Sequence, residues 1–358
     1  MKLLRTSLIG LALAVLLIPL AGFVQRAGSP PGVIPAAPDT VTGKTVSAAT
    51  AFLATLTDAE RARVSFGFSS SQRTQWSNLP SGVFTRNGLR LGDMTPRQRD
   101  AALALVAAAL SREGYQKVTD IMNADEALNN SRGGRTGGRP GGPGRGGVQF
   151  GSAEYYIALL GSPSPTTPWL IQFGGHHLAI NVTVVGTHSV LTPSLPATQP
   201  AKYTLNGQTI RPLGDENDKG FVLINALDAG QRKQAILNYQ VNDLVLGPGL
   251  DGKVIQPEGI LASALNRSQQ VLLLDIVHEW VGILNDEAGA AKMAEITANL
   301  PRTYFAWSGS TTNGGLAYYR IQGPTLIIEY APQQGDLDHI HTIYRDPTND
   351  YGAKLVTP

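Results

Sequence analysis

The chain has 358 residues, enough for one large domain or two of ordinary size. Its 29 basic and 27 acidic residues leave a formal net charge of +2, too small to imply a nucleic-acid or membrane-surface partner. There is no cysteine. That excludes disulfides, thiolate nucleophiles, iron–sulfur clusters and cysteine-ligated zinc, so any metal must rest on histidine, carboxylate or carbonyl groups.

The N-terminus sets Lys2 and Arg5 before an apolar run from Leu8 to Ala21. A basic start followed by a short apolar run predicts a secretory signal over residues 1–25. Because "IPLAGFVQRAGS" offers no clear small-x-small cleavage triplet, the alternative is an uncleaved N-terminal anchor, the one membrane contact the sequence allows for. Either reading makes the protein exported, to the periplasm or beyond. Residues 26–46, rich in Pro and Gly, read as a disordered linker to a single α+β domain over 47–358.

Four helix starts follow one pattern. "LTDAE" (56–60), "MTPRQ" (94–98), "LDAGQ" (227–231) and "LNRSQ" (265–269) each give an apolar residue, a capping side chain, and Glu or Gln three residues on. This is the capping box, in which the cap takes an orphan amide and the Glu or Gln reaches back. Helices are predicted over about 47–64, 95–112, 116–129, 215–238, 266–285 and 286–299.

Between the third helix and the first strand lies "SRGGRTGGRPGGPGRGGVQF", carrying Arg132, Arg135, Arg139 and Arg145. Such segments bind RNA in other settings. Here the composition, unable to bury enough apolar area to order, favours a flexible surface loop over 131–150. Deleting 132–147 is therefore expected to leave the melting temperature nearly unchanged, since loop length enters folding free energy only logarithmically. A large drop in a thermal melt would contradict that.

Strands are predicted over about 154–160, 168–174, 177–185, 303–307, 316–322, 325–331 and 339–344. Strand runs that follow helix runs, without regular alternation, indicate an α+β fold with helices packed on antiparallel sheet. The caps Thr57 and Thr95 recur 171 residues later as Asp228 and Asn266. "YIALLG" (156–161) is echoed by "YFAWSG" (304–309), and the glycines that follow each, Gly175 and Gly323, stand at the same interval. The pattern predicts two pseudo-symmetric halves, about 47–200 and 201–358, from an internal duplication; the competing explanation is coincident spacing of common capping boxes.

Four of the six histidines fall in two patches, "FGGHHLAIN" (173–181) and "DHIHTIYRD" (338–346). Alternation along a strand sends His339 and His341 to one face, within chelating distance of one metal, or else onto a solvated sheet face. His176 and His177 are adjacent, so a regular strand sends them to opposite faces. His177 shares its face with Ala179 and Asn181, and is favoured as a ligand, with His176 as a hydrogen-bonded partner. Gly174 and Gly175 permit the bend this needs. Glu329 ends an apolar run in "PTLIIEY", where an unpaired carboxylate is costly, so it requires a metal or an arginine such as Arg320 or Arg345. His278 and Glu279 resemble a zinc-protease helix, but the place of its second histidine is Gly282, which rejects the motif.

In the order "RTQWSNLP", "RNGLRLGDMTPRQRDAALALVAAALSREGY", "FGGHHLAIN", "FAWSG", "YYRIQGPTLIIEY" and "HIHTIYRDPTNDYG", the chain resembles a family of exported bacterial proteins known only as a domain of unknown function. The resemblance spans about residues 47 to 358. It implies that Trp76, His176, His177, Asn181, Glu329, His339, His341, Arg345 and Asp346 occupy the family's motif positions, and supplies no activity.

The expectation is thus a metal site with His176, His177, His339 and His341 as candidate ligands. Glu329 is the candidate fourth ligand or general base, with Arg345 and Asp346 as further candidate catalytic residues. Asn181, Asp346 and Trp76 would support the imidazoles. Zinc suits a histidine-rich site best, with iron, nickel or copper as alternatives. The ring nitrogens of His177 and His341 must then lie within about 5 Å, the reach of two zinc–nitrogen bonds. The function expected is an exported metal-dependent hydrolase or oxidoreductase acting on a small molecule; the alternative is a non-catalytic metal- or ligand-binding protein.

Overall fold

The computed structural model describes residues 37, 39–133 and 147–356. The predicted signal or anchor, most of the linker and the middle of the Gly/Arg-rich segment lie outside the described residues. In the first half the elements run α1 (Val41–Ala54), α2 (Asp58–Val64), β1 (Ser65–Phe66), β2 (Leu89–Arg90), α3 (Pro96–Ala109), α4 (Arg112–Gly133), β3 (Tyr156–Leu160), β4 (Trp169–Gly175), β5 (Leu178–Val185) and β6 (His188–Val190). Three short strands, β7 (Leu195–Pro196), β8 (Tyr203–Leu205) and β9 (Gln208–Ile210), lead into the second half. There follow α5 (Gly214–Ala226), α6 (Ala229–Ala235), β10 (Ile260–Leu261), α7 (Arg267–Val281), α8 (Asp286–Asn299), β11 (Tyr304–Gly309), β12 (Ala317–Gly323), β13 (Leu326–Pro332), β14 (Ile340–Arg345) and α9 (Ala353–Val356).

The fold is α+β, as the pattern predicts. One sheet runs β1-β3-β4-β5-β6, with β2 also on β3 and β7 on β5; the second runs β10-β11-β12-β13-β14. Apart from the parallel β1–β3 pair, their ladders are antiparallel. Residues 194–198 stitch the sheets together: β7 pairs with β5, while Ser194 and Thr198 bridge to Tyr344 and Ile340 of β14. No helix among the described residues is long and apolar enough to cross a membrane.

All four capping boxes form. Two of them open new helices inside spans predicted as continuous, so 47–64 becomes α1 and α2, and 215–238 becomes α5 and α6. The first helix also starts at Val41, capped by Thr40, so the end of the predicted linker is helical. At the other end, α4 continues to Gly133, into the segment predicted as loop. The caps bring further contacts that recur at the 171-residue interval. Gln98 Nε2 donates to Thr55 O and Gln269 Nε2 to Ala226 O. Arg61 Nε donates to Leu56 O and Arg232 Nε to Leu227 O. Arg99 Nε donates to Leu91 O, and Gln270 Nε2 takes the corresponding place on Ala262 O.

Each sheet buries one face on its own helices. Ile157, Leu159, Trp169, Ile171, Phe173 and Ile180 pack on Phe52, Leu105 and Ile121 in one core. Phe305, Trp307, Tyr319 and Ile328 pack on Ile224, Leu273 and Trp280 in the other. The opposite face of the second sheet is buried yet polar, with Arg320, Gln322, Glu329, His341 and Arg345. It is covered by the chain between α6 and β10, which lacks regular structure over most of its length. Such a segment carries backbone groups with no ladder partner, and the polar side chains of the sheet supply them.

The glycines before the histidines permit close packing. A Cβ on Gly174 would stand 2.3 Å from the Leu178 carbonyl oxygen, and one on Gly175 would meet the Tyr155 ring at 2.8 Å. Gly174→Ala is therefore expected to lose about 2 kcal/mol of stability, as overpacked sites do. Urea denaturation measures this; an unchanged midpoint would mean the hairpin can yield.

Candidate metal centre

His176 and His177 form the two-residue turn of the β4–β5 hairpin, closed by the Gly175–Leu178 pair. They are not within a strand, as the sequence pattern suggests. His177 has φ 63°, a left-handed value uncommon outside glycine. Its N–H donates to Asn78 O at 3.0 Å and its carbonyl accepts from Ala197 N at 2.8 Å, which pins the turn between two other chain segments. The turn also overrides the alternation that separates neighbouring side chains: the two rings lie against each other, 3.6 Å between centroids and tilted by 31°.

From the second sheet come His339, just before β14, and His341 within it. His177 Nε2 lies 2.8 Å from His339 Nε2, and His341 Nε2 lies 3.1 Å from the same atom. The ligand atoms of all three lie within 4.8 Å of one another, inside the limit set by the sequence argument. Nitrogens bound tetrahedrally to one zinc at ordinary bond lengths stand about 3.3 Å apart. Two of the three pairs are therefore close to that spacing, and the third lies within 4.8 Å.

The outer ring nitrogen of His341 has a defined partner. His341 Nδ1 bonds Asp243 Oδ1 at 2.9 Å, which places its proton on Nδ1 and leaves the Nε2 lone pair facing the cluster. Burial raises the Asp243 carboxyl, but the hydrogen bonds from His341 and the Leu244 N–H, together with the neighbouring imidazoles, jointly outweigh this and hold it below its ordinary value. Burial, with the imidazoles of His341 and His176 beside it, pushes His339 down to about 4, so it is neutral at physiological pH. One proton on His339 Nε2 can serve only one of its two nitrogen neighbours, whereas a single cation serves all three.

His176 belongs to a different arrangement. Its Nδ1 lies 2.6 Å from Asp125 Oδ1 on α4, whose other oxygen accepts from Gly151 N at 2.8 Å. Burial lowers the His176 pKa, against the pull of Asp125. Asp125, His176 and His177 also form a group at ligand spacing, but its carboxylate–imidazole contact is already a hydrogen bond. His176 thus buttresses His177 and is not among the three converging nitrogens.

The other expected residues stand apart from the histidines. Glu329 is fully buried and accepts from Val245 N at 2.7 Å, Leu246 N at 3.2 Å and the Tyr318 hydroxyl at 3.2 Å. The carboxylate has partners, but its hydrogen bonds come from backbone amides and a tyrosine hydroxyl instead of the expected metal or arginine, and Glu329 is in neither ligand-spaced group. Arg345 bonds Asp251, Asp350 and the carbonyls of Leu246 and Gly247. Asp346 pairs with Lys292 at 2.5 Å and caps the turn at Thr348. Asn181 bonds Gln172 and the Pro193 carbonyl, and Trp76 donates to the Tyr351 hydroxyl. These five organise the scaffold. Asp125, Asp243 and Asn78, which sequence reasoning missed, are the groups that touch the imidazoles.

Fold and site together define an α+β protein with a buried three-histidine cluster, at the joint between two sheets, that could hold a metal ion. The chain belongs to the family described as protein of unknown function (DUF3500), whose model matches residues 39–353. No curated protein and no solved structure matches it.

Proposed function

We propose that the protein is an exported metalloenzyme, a metal-dependent hydrolase or oxidoreductase, holding one divalent ion on His177, His339 and His341. The convergence of three Nε2 atoms at 2.8 and 3.1 Å carries this reading. Zinc fits best among the metals that imidazole favours, with iron, nickel and copper as the alternatives. The three imidazoles are neutral ligands, so they leave the ion's charge intact to polarise a bound water or carbonyl. A structural zinc site is usually closed and often rich in thiolate, which this chain lacks. His339 is the half-buried member of the set, and gives the side from which a substrate would approach.

The same reading takes the basic, apolar N-terminus as an export signal and the two halves as copies of one unit, supported by the three pairs of contacts at the 171-residue interval. The test is metal analysis of protein isolated from the periplasm, with one ion per chain expected. Residues 1–45 should also carry a fused reporter that is active only outside the cytoplasm. Metal-free protein from a metal-replete periplasm would sink the metalloenzyme.

A further inference from the structure

We infer that Asn78 is a ligand of the same metal, through its side-chain amide oxygen. This rests on the three-histidine reading and adds a residue to it. Asn78 Nδ2 lies 3.2 Å from His341 Nε2, close to the 3.1 Å that separates His339 from His341. The amide therefore stands at ligand spacing from His341. Its two ends are alike in shape, and a half-turn about the last side-chain torsion exchanges the N–H2 donor for the carbonyl acceptor. Facing an imidazole lone pair, the donor end is favoured; facing a cation, the oxygen is.

The segment around Asn78 is held with unusual care. Asn78 O accepts the N–H of His177 itself. Arg86 Nη2 donates to the carbonyls on either side, Ser77 O at 2.8 Å and Leu79 O at 2.5 Å, and also to Gly175 O at 2.8 Å. One guanidinium thus ties the Asn78 segment to the hairpin whose tip is His176–His177. Ser77 Oγ accepts from Leu79 N, tightening the same turn. Among the described residues Arg86 makes no ion pair. A largely buried cation spent on three carbonyls fixes geometry more than it neutralises charge. What it fixes is the distance between Asn78 and His177. Asn78 is itself buried, so its amide must be satisfied within the protein.

The resulting donor set is three imidazole nitrogens and one neutral oxygen, contributed by the segment before β2, the β4–β5 turn and β14 with its leading residue. A neutral amide oxygen is a weaker donor than a carboxylate, so the ion would keep its Lewis acidity, and the amide is the member of the set that would yield its place to water or substrate.

The experiment uses the full mature chain and zinc. Affinity is measured by competition with a chromophoric chelator, and coordination by the visible absorption of the cobalt-substituted protein. Asn78→Ala is expected to bind zinc at least ten-fold more weakly and to alter the cobalt spectrum. Asn78→Asp, which keeps the oxygen, should bind as tightly as the wild type or more so, and guards against a folding defect in the alanine variant. In a crystal of the zinc-loaded wild type the Asn78 Oδ1–metal distance should be about 2.0–2.2 Å. Wild-type affinity and spectrum in Asn78→Ala, or an amide oxygen left beyond about 3 Å, would overturn the assignment of Asn78 while leaving the histidines in place. If the wild type takes up no zinc or cobalt at all, the three-histidine reading falls first and this one with it.

Discussion

Replacing His341 with alanine is expected to abolish stoichiometric metal binding while the protein still folds. The imidazole supplies one of three converging nitrogens, and two remaining imidazoles, even with the neutral Asn78 amide beside them, hold a divalent ion too weakly for stoichiometric binding. The fold should survive because its two cores rest on apolar contacts that do not include the imidazole: Trp169 and Phe173 in one, Trp280 and Trp307 in the other. The change also leaves Asp243 without its ring partner, but that carboxylate is half exposed and can turn to water. The measurable difference is linkage. Zinc in excess of its dissociation constant should raise the melting temperature of the wild type, by about 2.7 kcal/mol of stability at a hundred-fold excess, and do nothing for the variant. Equal stabilisation of both proteins would place the metal elsewhere.

Arg345→Met is expected to do the reverse, costing about 3–5 kcal/mol of stability with metal stoichiometry unchanged. The guanidinium is buried between Asp251 and Asp350 and also holds the Leu246 and Gly247 carbonyls. Removing one partner of a buried ionic group leaves charge uncompensated, which is the expensive case. The deficit should depend on pH. Burial pushes the Asp350 carboxyl up to about 6, against the pull of Arg345. The folded state therefore binds this proton more tightly than the unfolded chain does. Asp350 favours folding in acid, and that contribution fades as pH rises through about 6. Without the arginine, protonation is the remaining way to remove the carboxylate charge, so urea midpoints of variant and wild type should diverge more at pH 7.5 than at pH 5. Loss of metal together with stability would instead return Arg345 to the site.

The sequence made legible what is local. A capping box needs four consecutive residues, and the four boxes here all form, because cap, amide and returning side chain are neighbours in the chain. The spacing of His339 and His341 is local too, and their nitrogens do converge, although His339 lies just outside β14. What fails is whatever depends on partners far along the chain. Nothing near His341 in sequence announces Asp243, which arrives on an irregular segment 98 residues away. Nothing near His176 announces Asp125, 51 residues earlier on a helix. Glu329 is the instructive case. Its burial was readable from the apolar run, but the choice of partner was not, since backbone amides leave no trace in composition. The turn at His177 was misjudged for a related reason: a left-handed φ at a histidine is held by tertiary hydrogen bonds, against the preference of the residue itself.

The placement of the histidines across residues 194–198 has a consequence for how the molecule holds together. His177 belongs to the first sheet and His339 to the second, 162 residues later, so neither half owns a complete set of ligands. Expressed as two separate chains, the halves would compete for metal only after finding each other. An ion bound there would make occupancy of the centre and closure of the joint one equilibrium seen from two sides: whatever free energy the ion gained from the assembled joint, the joint would gain from the ion.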